Sequence, residues 1–95
     1  MKFVFSGTML RFVDFAREVD IPEPNLERAL AALLAQRPGL RPVLLDGAGN
    51  VRRSHQMFLN GESMHPRYYS DGLARAALPT EPADSVYFLT AIAGG

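Results

Sequence analysis

The chain has 95 residues, of which 47% are hydrophobic and 21% charged, and its 10 basic and 10 acidic residues cancel. This length fits one domain with one modest core, and the average composition excludes a disordered or fibrous protein. A neutral chain without cysteine is not expected to bind nucleic acid through a strong positive field, and it has no disulfides or thiolate metal sites.

The first element predicted along the chain is a strand. The segment Met1–Met9 contains the run Phe3-Val4-Phe5, whose aromatic and β-branched side chains favour extended structure. A second strand is predicted within Phe12–Ile21, and a helix is the competing interpretation of that segment. Pro22 and Pro24 exclude a central strand immediately afterwards.

The strongest helix signal lies between Asn25 and Gln36. Asn25 can cap the free backbone amides of the first turn, and Pro38 and Gly39 are expected to end the helix. Apolar residues recur between them at the spacing of one helical face. These residues are Leu26, Leu30, Leu33 and Leu34.

The second half of the chain is predicted to add further strands. Val43–Leu45 precedes a turn-rich segment, and another strand is expected within Val51–Leu59. Asn60-Gly61 favours a tight hairpin there, because this pair tolerates the positive φ values of such turns. We expect a loop over 62–82 with a helical turn near Leu73–Ala77.

The last predicted strand is Ser85–Thr90. The resulting order of elements fits a mixed sheet of four to five strands curled over one main helix, which is an α+β architecture. The last strand should lie centrally beside the first. Because side chains alternate along a strand, Val86 and Phe88 share one face, whereas Tyr87 and Leu89 share the other.

The sheet face that points away from the helix is a candidate partner-binding surface. Val4 on the first strand is expected to share this face with Tyr87 and Leu89. An exposed apolar patch there would indicate a protein interaction site. The alternative is that the 62–82 loop covers Tyr87 and Leu89, which would then serve only stability.

The sequence ends in Gly94-Gly95, directly after the apolar run that includes the last strand. Glycine has the largest entropic cost of ordering, so the needs of folding do not explain this ending. An end without side chains can enter a narrow channel and present a carboxylate to an activating enzyme. We therefore predict a domain over residues 1–90 and a flexible tail over 91–95, with an inert, frayed end as the alternative.

Other side chains indicate structural roles. His55 and His65 have no third ligand at a typical metal spacing, so no metal site is expected. His55 follows Arg52-Arg53 and is expected to be solvated. Tyr68-Tyr69 is interpreted as an anchor that buries its rings under a loop.

The expected compartment follows from the hydropathy of the chain. No apolar stretch approaches the roughly 18 residues that span a bilayer. The N-terminus also lacks the basic and apolar regions of a secretory signal. We expect a cytoplasmic protein without a membrane partner.

Six segments occur in a characteristic order along the chain. They are Asn25–Gln36 followed by Pro38-Gly39-Leu40, Leu44-Leu45-Asp46, Gly49-Asn50-Val51-Arg52-Arg53, Met57-Phe58-Leu59-Asn60-Gly61-Glu62, Asp84-Ser85-Val86, and Ala91-Ile92-Ala93-Gly94-Gly95. Taken together they resemble the ubiquitin-like β-grasp sulfur carriers of the MoaD/ThiS family, in particular the longer, CysO-like members. The resemblance covers most of the chain.

The resemblance implies a β-grasp fold and a carrier rather than an enzyme. An E1-like adenylating enzyme would use ATP and Mg²⁺ to adenylate the Gly95 carboxylate, and a sulfur donor would convert the adenylate to a thiocarboxylate. The sulfur would pass to a sulfur-accepting enzyme of cofactor, cysteine or thio-metabolite biosynthesis. The chain itself would bind no cofactor, and a MoaD-like member would be the small subunit of molybdopterin synthase. Partner contacts would involve Ala91, Ile92, Ala93 and Gly94 of the tail, together with Leu89, Tyr87 and Val4.

Two other functions remain as alternatives. One is a ubiquitin-like modifier that forms isopeptide bonds with lysines of other proteins. The other is a non-covalent interaction module with an inert tail. This chain has Ala83 and Thr90 where carriers of the family commonly have glycine and proline, which leaves the pathway open.

Overall fold

A computed structural model describes residues 1–90 of the chain. Five strands form one mixed sheet in the order β2-β1-β5-β3-β4. β5 lies at the centre, parallel to β1 and antiparallel to β3, which confirms the predicted position of the last strand. The strands are β1 (Lys2–Phe5), β2 (Glu18–Asp20), β3 (His55–Leu59), β4 (Glu62–Ser63) and β5 (Ser85–Thr90).

One main helix packs on the sheet, as predicted. Helix α1 (Leu26–Gln36) begins at Asn25, whose side-chain oxygen accepts a hydrogen bond from the Arg28 amide at 3.1 Å. The leucines of its buried face join the strands in a single hydrophobic core. Three shorter helices follow, namely α2 (Arg41–Leu44), α3 (Arg67–Ser70) and α4 (Gly72–Ala77).

The connection between β1 and β2 differs from the predicted long second strand. Most of Phe12–Ile21 lies outside β2, and Gly7–Val13 forms a 3-10 helix. The helix buries Met9 and Val13, at 1% and 0% exposure, over one end of the core. An extended chain over Gly7–Val13 would place some of its apolar side chains in solvent. Burial of these side chains therefore overrides their propensity for extended structure.

Two other segments are more helical than predicted. Val43–Leu45 is not a strand, because α2 carries Leu44 into the core and only Leu45 makes a bridge, with Val51. The 62–82 segment contains the predicted helical turn as α4, together with α3 and the short strand β4. The Asn60-Gly61 hairpin is confirmed, with φ values of 50° and 87°.

A buried arginine fixes the 62–82 segment to the main helix. Arg75 on α4 is 5% exposed and forms an ion pair with Glu27 on α1. Its guanidinium also donates to the carbonyl oxygens of Tyr68 and Tyr69, at 2.8 and 3.1 Å. Tyr69 is buried, and its hydroxyl accepts a hydrogen bond from the Met57 amide at 2.7 Å. Tyr69 therefore has the anchoring role that the sequence indicates.

The start of β5 is tied to the β3–β4 hairpin by one carboxylate. Asp84 accepts hydrogen bonds from the Asn60 side chain at 3.0 Å and from the Glu81 amide at 2.8 Å. These two bonds hold the pKa of Asp84 below its usual value, and the bond from Asn60 contributes more than the bond from Glu81. The folded state therefore gains stability from this carboxylate above the ordinary aspartate pKa, and that gain disappears as the pH falls through the lowered value.

Asp84→Asn is expected to lower the free energy of unfolding most at neutral pH. The difference from the wild type should stay constant down to about pH 4 and shrink as the pH falls further, because the wild-type carboxylate then takes up a proton and both chains come to have a neutral group at this position. Urea unfolding from about pH 7 to about pH 3 measures the difference. Glu62→Gln, which removes an exposed carboxylate on the same hairpin, is the control. A difference that is constant with pH would contradict the assignment.

Candidate functional site

The centre of the candidate site is the edge of the sheet at which β5 ends. Parallel β1 and β5 end at this edge, and antiparallel β2 and β3 begin there. Thr90 pairs with His55 on β3, and Phe88 pairs with Phe5 on β1. We call this edge the exit edge, because the chain continues from it into Ala91–Gly95. β5 is held from both sides, so the body fixes the point from which these last residues begin.

The predicted tail lies outside the described residues. This applies to Gly95 as the site of adenylation and to Gly94, Ala93, Ile92 and Ala91 as partner contacts. Their roles therefore stay predictions. The structure locates only their attachment point on the body.

The outer face of the sheet carries an apolar patch next to the exit edge. Tyr87 and Leu89 on β5 are 43% and 42% exposed, so the 62–82 segment does not bury them. Phe58 on β3 is half-buried and pairs directly with Tyr87. We call Tyr87, Leu89 and Phe58 the outer-face patch. Val4 shares the face by its register with Tyr87, but at 6% exposure it offers little surface to a partner.

The sequence alone does not predict that Phe58 belongs to the outer-face patch. Its membership of the patch depends on which β3 residue pairs with Tyr87, and this register is a tertiary property. The hairpin at Asn60-Gly61 was the one local signal for it. Counting back from that turn pairs Phe58 with Ser63 on β4, but it does not relate Phe58 to any residue of β5.

His55 is buried, so its predicted solvated position is wrong. It is the first residue of β3 and shares the inner face with Met57, because side chains alternate along the strand. Its Nε2 lies 2.8 Å from the Val43 carbonyl oxygen, and the side chain is one of two buried polar ones in the described chain. The neighbouring Arg52 and Arg53 are exposed, as expected.

Residues 1–90 contain neither a metal-binding cluster nor a membrane-spanning helix. No three histidine or carboxylate side chains in this range lie close enough to hold a metal ion. Within the same range, no helix has the length and apolar character needed to cross a bilayer.

One open cavity of about 360 Å³ lies beside the Asp46 loop, and Arg41 and Arg52 line it. The Asp46 carboxylate accepts hydrogen bonds from the Ala48 and Asn50 amides, so it stabilises its own turn.

No protein-family model and no curated protein matches the chain. Among solved structures, the chain matches small archaeal modifier protein SAMP1 of Haloferax volcanii with a TM-score of 0.74 and 18% identity, over 100% of this chain and 98% of that one. It matches a chain of the Amycolatopsis orientalis BexX/CysO complex with a TM-score of 0.74 and 15% identity, over 99% and 98%. It matches Mycobacterium tuberculosis CysO with a TM-score of 0.68 and 22% identity, over 96% and 98%. The chain therefore has the β-grasp, ubiquitin-like fold that its sequence motifs imply.

Proposed function

We propose that the protein is a sulfur carrier whose Gly95 carboxylate is activated by an E1-like enzyme and converted to a thiocarboxylate. The observation that carries this proposal is that the central strand β5 leads directly into a segment ending in Gly94-Gly95. The similarity in fold to CysO and SAMP1 supports it. In this function the body is a scaffold, and the chemistry takes place at the terminal carbonyl.

The chemistry explains why an activating enzyme is needed. A terminal carboxyl group has a pKa near 3.5, so at neutral pH it is an anion that resists nucleophilic attack. Adenylation joins the carboxylate oxygen to the α-phosphate of ATP and releases pyrophosphate. A sulfur nucleophile then attacks the carbonyl carbon, and AMP leaves. The product is a thiocarboxylate, which can give its sulfur to the substrate of an acceptor enzyme.

The dimensions of the chain suit this role. Five residues in extended conformation span about 16 Å, which is enough to reach from the exit edge into a buried active site. Glycine at the last two positions lets an enzyme's channel close tightly on the backbone. The outer-face patch, beside the same edge, offers an apolar surface on which a partner can bind while it holds the tail.

Intact-mass measurement tests the proposal. The protein is incubated with the E1-like enzyme of the same organism, ATP, Mg²⁺ and sulfide. The expected product is heavier by the difference between one sulfur and one oxygen atom, and fragmentation should place that difference on Gly95. A mass that stays unchanged, while pyrophosphate is not released either, would overturn the proposal.

Protein modification is the second candidate, because SAMP1 is a modifier by name and has the same fold. The same activated carboxylate would then acylate lysine amines of other proteins. Incubation with ATP, the E1-like enzyme and cell extract distinguishes the two functions. Covalent ladders that contain this chain would favour modification, whereas a thiocarboxylate without ladders would favour sulfur transfer.

Leu89→Asp is expected to weaken binding to the activating or acceptor enzyme by about tenfold or more, because it places a charge in the centre of an apolar contact. Leu73→Asp is the matched control, since Leu73 is 83% exposed on α4, outside the outer-face patch. Titration calorimetry with each enzyme measures the change. Equal losses for both variants would show that the outer-face patch is not a binding surface.

A further inference from the structure

Charge is unevenly distributed over this formally neutral chain. The segments 6–17 and 37–54 hold six arginines and two aspartates, which gives them a formal charge of +4. The remaining residues therefore carry −4. Such a separation along the chain does not contribute to the core, and it becomes a separation in space where the fold brings the two positive segments together. The arginines are Arg11, Arg17, Arg37, Arg41, Arg52 and Arg53.

The fold brings these two segments together at the exit edge. The 6–17 segment follows β1 and precedes β2, and the 37–54 segment ends where β3 begins. Arg37 forms a 3.2 Å ion pair with Asp14, which joins the two segments. Arg52 donates to the Pro42 carbonyl at 3.1 Å, so the 37–54 segment is closed on itself.

Four of the arginines flank the end of β5. Arg11 and Arg17 lie on the β1 side, and Arg52 and Arg53 lie on the β3 side. All four are exposed, and none forms a salt bridge with another residue of the 1–90 range, although the Arg53 guanidinium lies over the Tyr69 ring, 5.3 Å from its centroid. We call these four residues the basic collar. The two carboxylates of the same segments already have partners. Asp14 pairs with Arg37, and Asp46 accepts hydrogen bonds from the amides of its own turn.

An exposed aromatic ring stands within the collar. Phe15 is 74% exposed, and both it and Asp14 have positive φ values, of 60° and 52°. This conformation is unfavourable for a bulky residue, by about 1–2 kcal/mol. The turn is nevertheless held by hydrogen bonds from the Phe15 amide to Leu10 and from the Ala16 amide to Val13. The fold thus presents an apolar ring to solvent in the turn that separates Arg11 from Arg17 along the chain.

From this juxtaposition we infer that the exit edge docks onto the E1-like enzyme, at the rim of the channel that receives residues 91–95. This rim is acidic and has an apolar pocket for Phe15. The inference rests on the proposed carrier function. Aromatic and arginine side chains are the residues that most often contribute strongly to protein interfaces. The collar lies on both sides of the end of β5, so its charges attract an acidic opening to the point from which the last residues begin.

Charge reversal tests the inference directly. Fluorescence anisotropy measures the Kd between the labelled protein and the E1-like enzyme of the same organism. The double variant Arg11→Glu/Arg17→Glu is expected to raise the Kd by at least about tenfold at low salt. The difference should shrink between about 50 mM and about 500 mM salt, because ions screen exposed charges.

A matched control carries the same change in net charge elsewhere. Arg28→Glu/Arg67→Glu alters two exposed arginines outside the collar segments and should change the Kd less than about threefold. Phe15→Asn tests the apolar pocket. Asparagine tolerates positive φ, so the melting temperature should hold or rise while the Kd increases by about tenfold.

The outcomes separate this inference from the proposed function. Equal Kd values for the collar and control variants, or an unaffected Phe15→Asn, would overturn the docking surface even where the thiocarboxylate forms. Binding that depends on the collar but yields neither adenylate nor thiocarboxylate would overturn the carrier function alone. Absence of any binding by the wild type counts against both.

Discussion

Gly95→Val and Gly94→Val are expected to reduce adenylation by at least about a hundredfold, because a branched side chain in a narrow channel displaces the carboxylate from the attacking position. Their melting temperatures should equal that of the wild type, because both residues follow the last strand of the fold. ATP–pyrophosphate exchange with the E1-like enzyme measures the rate. Addition of one alanine after Gly95 is expected to have an effect of the same size, since the reacting carboxylate then belongs to a different residue.

The control for the tail variants is the same substitution on the body. Gly47→Val is suitable because a Cβ at Gly47 meets open space and the backbone does not require glycine there. It should leave both adenylation and stability unchanged. Adenylation that survives the alanine extension would show that the reaction does not require the diglycine end, whereas no exchange with the wild type would favour the inert interaction module.

Phe88→Ala is expected to be the most damaging single change to the fold. Phe88 is fully buried on the central strand and packs between Phe3 and Phe5, with ring centroids 6.0 and 5.6 Å away. Truncation of a buried phenylalanine costs about 3–5 kcal/mol, which is a large part of the stability of a small domain. The melting temperature should fall by roughly 15–30 °C.

The neighbouring residue provides the control for Phe88. Tyr87→Ala truncates an aromatic side chain in the same strand, but on the outer face, and should cost about 1 kcal/mol or less. Thermal unfolding followed by circular dichroism compares the two variants. Similar losses would mean that the aromatic stack does not carry the core. The pair also separates the two faces of β5, since Tyr87→Ala should weaken partner binding while the fold persists.

The elements with strong local signals were predictable from the sequence. Asn25 and Pro38 bracket α1, and Asn60-Gly61 determines the hairpin, because capping and turn conformations depend on neighbouring residues alone. The alternation in β5 likewise placed Tyr87 and Leu89 on the outer face. These signals were enough to indicate the fold and the part of the candidate site that lies on the outer face of β5.

The remaining parts depend on contacts between distant segments. The 3-10 helix Gly7–Val13 exists because Met9 and Val13 find a core built by other elements. His55 is buried because it is the first residue of β3 and shares the inner face of the sheet with Met57. The net charge of zero likewise gives no indication of the basic collar. Its arginines meet only when the sheet brings the two segments to one edge.

The position of β5 between two neighbours also determines how the protein responds to pulling. A partner that grips the last residues transmits force along the axis of β5, where the hydrogen bonds to β1 and β3 are loaded together in shear. A strand at the margin of the sheet would have only one neighbour, so fewer hydrogen bonds would resist the same force. The body can therefore be drawn against an enzyme's surface and later released without losing its shape.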